Sequence, residues 1–148
     1  MPLRTELDGA RMWLLRKVVY QDDLCLFLAE MFAGNPMEDR RLGNCVIEGR
    51  RKIEPREDSR HFIVRFPQFV AWQVVDETYT TKDDYEQCDD TGVLQILSRS
   101  KYLDYIKSSH GWFEATLGPA KQYRVCTANE IVDVVACQSP TVGPWTGT

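Results

Sequence analysis

The clearest alternation of apolar and polar positions lies towards the C-terminal end, where residues 122–126 and 131–137 are β-branched runs separated by Thr127-Ala128-Asn129-Glu130. Two such runs joined by a loop of hairpin length predict an antiparallel strand pair. In that pair Cys126 lies opposite about Ile131. Cys137 is then about 20 Å further along at the rise of a strand, so the two thiols do not bridge. Upstream, apolar residues at 102, 103, 105 and 106 behind Ser98 or Ser100 as N-cap predict a short helix over 100–107. Residues 93–97 before it read as a strand. Residues 61–66 and 69–75, interrupted by Pro67, read as two strands or one strand bent at a bulge, because proline cannot donate a ladder hydrogen bond. Residues 45–53 form a weaker strand ahead of the charged turn at 54–59.

Two periods compete in the N-terminal third. Leu24, Phe27, Leu28, Met31 and Phe32 recur at helical spacing behind Asp22-Asp23 and ahead of Gly34, while Leu24, Leu26 and Leu28 also alternate. The spacing and the flanking cap residues predict a helix over 24–32. Residues 11–20 are expected as a strand, although 12–19 fits either period. Mostly antiparallel strands with a few short helices define an α+β fold, expected as one domain over residues 1–148 with an acidic loop at about 76–90 and a C-terminal tail at about 139–148.

Composition narrows the function classes. The chain has 148 residues, 43% of them hydrophobic, with 18 basic and 22 acidic side chains, which is enough for one ordinary core and too apolar for disorder. No run of 18 apolar residues marks a membrane span, and the N-terminus lacks the basic-then-apolar order of a secretory signal. Five cysteines, at 25, 45, 88, 126 and 137, form no CxxC pair. They read as reduced thiols in a cytosolic compartment, and His61 and His110 lie near none of them, so neither metal nor cofactor is expected. The glycines form no phosphate-binding loop.

Charge is unevenly placed. Residues 1–60 hold 11 basic and 11 acidic groups, residues 61–148 hold 7 and 11, and the segment 76–90 alone contributes −6. The basic residues from Arg40 to Arg65 are interleaved with acids, so nucleic-acid binding is not expected. The acidic segment lacks the order of a calcium loop. Its plain reading is a solvated loop; its functional reading is a partner-facing surface in which Asp83, Asp84, Glu86, Asp89 and Asp90 steer association. Trp112-Phe113, in an apparent loop, are further candidates for a protein contact. Asp133 alternates with Ile131, Val135 and Cys137 on what reads as a buried strand face, where it needs a partner or a rim position. His110 is the other candidate buried polar residue.

Residues 123–135, followed by Pro140-Thr141-Val142, resemble the tail of a family of small uncharacterised bacterial proteins carrying a Y-x-I-x-T-x-N-x-x-I-D-V strand pair and a later proline. Residues 69–77 and 100–105 are similar to two further stretches of that pattern, which covers about half the chain. The resemblance implies a bacterial cytoplasmic protein and carries over no catalytic residue. The leading expectation is a non-catalytic domain acting through protein–protein contact, in one concrete form an immunity-type antitoxin whose acidic segment covers a basic active site. The alternatives are a small hydrolase or small-ligand-binding protein with a pocket near His110, Trp112 and Asp133, and a homodimer joined through an exposed strand edge.

Overall fold

The computed structural model describes residues 5–10, 12–36, 40–42, 45–47, 51–89 and 92–146. Along them run β1 (Met12–Tyr20), β2 (Leu24–Pro36), β3 (Arg40–Leu42), β4 (Cys45–Ile47), β5 (Arg51–Pro55), β6 (His61–Phe66), β7 (Phe69–Asp76), β8 (Gln87–Cys88) and β9 (Leu94–Arg99). Then follow helix α1 (Lys101–His110), the short α2 (Glu114–Leu117), β10 (Lys121–Cys126), β11 (Glu130–Ala136) and β12 (Thr141–Pro144). One sheet has the order β1-β2-β6-β12 with β5 also on β2, a second has the order β7-β11-β10-β9-β8, and β3 pairs with β4. All described pairings are antiparallel, as an α+β fold of this kind requires.

The two large sheets face each other across the main core. Trp13, Leu15, Leu24, Leu26, Leu28, Val64 and Phe66 come from the first, and Leu94, Tyr123, Val125, Val132, Val134 and Ala136 from the second. A smaller apolar cluster, Leu103, Ile106, Phe113, Ala120 and Val135, seats α1 on the outer face of the second sheet. The order is therefore sheet, sheet, helix. Asn129, in the β10–β11 loop, ties the sheets together: its amide accepts from Leu15 N at 3.0 Å and donates to Leu15 O at 3.2 Å, as a neighbouring strand would.

The segment expected as a helix over 24–32 is a strand. Leu24, Leu26 and Leu28 are wholly buried in the sandwich, and β2 is paired with β1 on one side and with β6 and β5 on the other. Its opposite face is also partly covered, with the Phe27 ring edge-on to Trp145 at 5.1 Å. Apolar groups on both faces of a central strand blur the two-residue period and admit a helical one. The ambiguity over 12–19 has a different cause: β1 carries a bulge at Arg16, which shifts the inward set from Trp13 and Leu15 to Val18. Arg11 lies outside the described residues.

Other expectations hold with changes. Residues 61–66 and 69–75 are two strands in different sheets, joined at Pro67-Gln68, where Gln68 has φ 50°. The 45–53 stretch divides into β4 and β5, with 48–50 outside the described residues. The β10–β11 register sets Cys126 opposite Ile131 as read, and Cys126 and Cys137 are free thiols. The segment expected as a tail instead supplies β12, paired with β6, because Val142 joins the core edge and Trp145 packs on Phe27 and His61.

Glu30, buried in β2, shows how the fold holds a charge. Its carboxylate accepts from Arg60 Nε at 3.1 Å and Nη2 at 2.5 Å, which holds its pKa below the usual range against the opposing effect of burial. A depressed carboxylate stabilises the fold above its unfolded pKa of about 4.3 and loses that contribution as pH falls through the folded value. Glu30→Gln is therefore expected to flatten the acid side of the stability profile, read as a smaller drop in urea midpoint between about pH 5 and pH 3 than in the wild type.

Candidate functional site

The outer face of the second sheet carries a row of polar side chains set by strand register: Gln73 on β7 opposite Asp133 on β11, and Asp133 opposite Arg124 on β10. Asp133 is 2% exposed. It accepts from Gln73 Nε2 at 3.1 Å, Gln122 Nε2 at 3.0 Å and Arg124 Nε at 2.8 Å. The other end of the Arg124 guanidinium forks onto Glu86 at 2.7 and 2.9 Å, and these charge-assisted bonds, Glu86 foremost, raise the Arg124 pKa further. Gln122 in turn accepts from Ser100 Oγ, and that hydroxyl caps α1 by accepting from Leu103 N at 2.9 Å. Burial, and after it the Asp133 charge, push the Tyr102 hydroxyl up to about 12.

This network joins the helix N-terminus, the sheet and the acidic segment at one point. Both Asp133 oxygens and both ends of the Arg124 fork are engaged within the chain, which makes the row a joint that fixes geometry. The expected buried carboxylate thus has its partners. Sequence reading does not single out Arg124, although the register that sets Cys126 opposite Ile131 also sets Arg124 opposite Asp133.

The acidic segment is less of a free surface than its sequence suggests. Glu86 is turned inward to Arg124; Asp83 accepts from Tyr85 N at 3.0 Å and pairs with Lys101 at 3.3 Å, and the Tyr85 hydrogen bond above all lowers its pKa. Tyr85 donates its hydroxyl to Asp104 and its carbonyl accepts from Arg99 Nε at 2.7 Å. Asp84 and Asp89 are exposed, Asp89 lining a groove of about 400 Å³ with Leu97, Leu103, Lys107 and Lys121; Asp90 lies outside the described residues.

His110, Trp112 and Phe113 part company. His110, expected buried, is exposed as the last residue of α1, because the helix turns its Leu103 and Ile106 stripe to the sheet; its ring lies 5.9 Å from Tyr105. Phe113, expected on a contact surface, is buried beside Ile106 and Val135, because the 3₁₀ turn Gly111–Phe113 folds it under the helix. Trp112 points outward and is 78% exposed. His110 and Trp112 line a groove of about 360 Å³ with Val70, Ala71, Ile106 and Phe113, and Asp133 is not among its lining residues.

That groove opens beside β7, the edge strand of the second sheet. On the other side of β7 the Tyr20 ring, 60% exposed, lies 6.1 Å from both Phe69 and Trp72. Val74, two residues beyond Trp72 on the same strand, is also exposed and extends this apolar surface. Sequence reading did not single out this edge, since nothing local says which strand ends a sheet. Among the described residues no three His, Cys, Asp or Glu are placed to hold a metal ion, and no helix is long and apolar enough to cross a membrane. Comparison with family models, curated proteins and solved structures finds no match for the chain.

Proposed function

We propose that this chain is a non-catalytic bacterial cytoplasmic protein that acts through protein–protein contact, and that β7 is the strand it offers. One observation carries the reading. The edge strand runs Phe69-Val70-Ala71-Trp72-Gln73-Val74-Val75 without a charge or proline before Asp76, and exposed Tyr20 and Trp112 flank it on its two faces. An edge of this kind presents unpaired backbone groups, which soluble proteins ordinarily guard with charge, proline or a covering element. Exposed tryptophan and tyrosine beside it are the side chains that anchor contacts.

The non-catalytic part rests on how the reactive groups are held. The Asp133 oxygens are taken by Gln73, Gln122 and Arg124, and burial pushes the Cys126 thiol up to about 11, away from the thiolate. The bacterial and cytoplasmic parts draw on the resemblance of residues 123–135 and on the unbridged thiols of Cys25, Cys88, Cys126 and Cys137. The immunity-type form of the reading would rely on Asp84 and Asp89, the described acids of segment 83–89 that remain exposed.

Photo-crosslinking in bacterial cells tests the contact. Benzoylphenylalanine at Val74 or at Trp112 is expected to give a polypeptide adduct, and at Thr141 on β12 none. The captured polypeptide, identified and purified, should then bind the wild type and not Val74→Lys. Adducts only from position 84 would move the contact to the acidic segment and overturn the β7 assignment, and adducts from no position would overturn the whole reading.

A further inference from the structure

We infer that the polypeptide on β7 is a second copy of this chain, its own β7 paired antiparallel about a two-fold axis; this rests on the protein-contact reading above. The first ground is the strand's self-complementarity. An axis normal to the sheet keeps like faces together, so paired residues must share a face. Centring it on Gln73 sets Trp72 opposite Val74 of the second copy on the face that carries Tyr20, and Ala71 opposite Val75 on the face that carries Trp112. The bulge at Val70, which turns it with Ala71 towards α1, ends this register, and the two Asp76 carboxylates stand at opposite ends of the joint. No like charges face each other, which is the condition a strand must meet to pair with itself.

The second ground is closure. The far edge of the same sheet is β8, only two residues long and bordered by Glu86 and Asp89, so it is unsuited to accept a strand. On the first sheet, the β1 edge is occupied by Ala128 N on Trp13 O at 2.8 Å and by the Asn129 amide on Leu15, and beyond them it carries exposed Arg16 and Lys17. β12 is four residues long and ends in Pro144. β7 thus differs from these edges in being long, without charge before Asp76, and uncovered by any of the described residues. A two-fold pairing consumes it in both copies, and the second sheets then have only β8 at their ends, so assembly stops at the dimer and does not grow into a fibre.

The third ground is what surrounds the joint. Edge pairing alone buries little surface, and a stable interface needs about 1,200 Å² or more. Tyr20 and Val74 on one side and Trp112 on the other supply exposed apolar area next to the paired strands, and the two-fold brings both copies' sets to the same seam.

Light scattering and sedimentation of the purified full chain over roughly 1–100 μM, the weak end of the range for interfaces of this size, test the inference. The wild type is expected at twice 17.1 kDa, Val74→Lys at 17.1 kDa with an unchanged circular dichroism spectrum, and Thr141→Lys still dimeric. A variant that fails to fold is replaced as evidence by hydrogen exchange on the wild type, in which the β7 amides should gain protection with concentration while those of β12 do not. A wild type monomeric throughout, or a dimer that survives in folded Val74→Lys, overturns the inference. If the chain is monomeric and the Val74 crosslink captures a different protein, the protein-contact reading stands and the second copy falls. If it is monomeric and captures nothing, both fall.

Discussion

Replacing Arg124 by alanine is expected to lower the unfolding free energy by about 3–5 kcal/mol, because it leaves a buried carboxylate without its countercharge. The Asp133 side chain is only 3% exposed, and Gln73 and Gln122 donate to it without neutralising it. The same substitution strands Glu86, whose carboxylate Arg124 holds on β10 at 2.7 Å, so the 83–88 segment should loosen around residue 86 while its contacts to Lys101, Asp104 and β9 persist. Two measurements check this together: urea unfolding for the loss of stability, and hydrogen exchange for faster amides around residue 86. Arg124→Lys should fall between wild type and alanine, since an ammonium cannot fork to two carboxylates at once. A loss below about 1 kcal/mol would mean that the pair behaves as a solvated surface contact.

Trp13→Ala is expected to have an effect of similar size, about 3–5 kcal/mol, for a different reason. Trp13 is 1% exposed in the main core and meets the Phe62 ring edge-on at 5.4 Å. Its indole donates to Leu7 O at 2.7 Å and so anchors the 3₁₀ turn Glu6–Gly9. Truncation removes the largest side chain at this end of the sandwich and opens a cavity that two hydrogen-bonded sheets cannot readily close. Trp13→Phe keeps much of the volume and loses only the donation, leaving Leu7 O with its 3.3 Å bond from Ala10 N, so about 0.5–1.5 kcal/mol is expected. Chemical denaturation of the two variants beside the wild type separates the packing part from the hydrogen bond.

How far each element can be read from the chain depends on where its determinants sit. The β10–β11 hairpin was legible down to its register because both strands and their loop are contiguous and each strand has a plain β-branched signature. Helix α1 was legible because its apolar residues and its two cap candidates, Ser98 and Ser100, lie within one short stretch; the structure makes Ser100 the cap and buries Leu103 and Ile106. β2 was misread because covering both faces of a central strand removes the alternation by which strands are recognised. Phe113 was misplaced because its burial depends on a turn that folds it under a helix, and no local period marks such a turn.

The candidate surface divides along the same line. Asp133 could be recognised from alternation alone as a buried carboxylate in need of a partner, and Arg124 was one register step away. That Glu86 leaves the acidic segment to complete the pair could not be read, since it lies 38 positions from Arg124. Nor could the exposed status of β7, which is decided by the order of five strands in a sheet and not by any property of residues 69–76. Sequence alone thus determined the fold class, the C-terminal strand pair and the helix, because these follow from periodicity and capping among neighbours. Tertiary structure decided which carboxylates are spent inside the molecule and which strand edge and aromatics are left to meet a partner, because exposure is set by what packs on a residue from elsewhere in the chain.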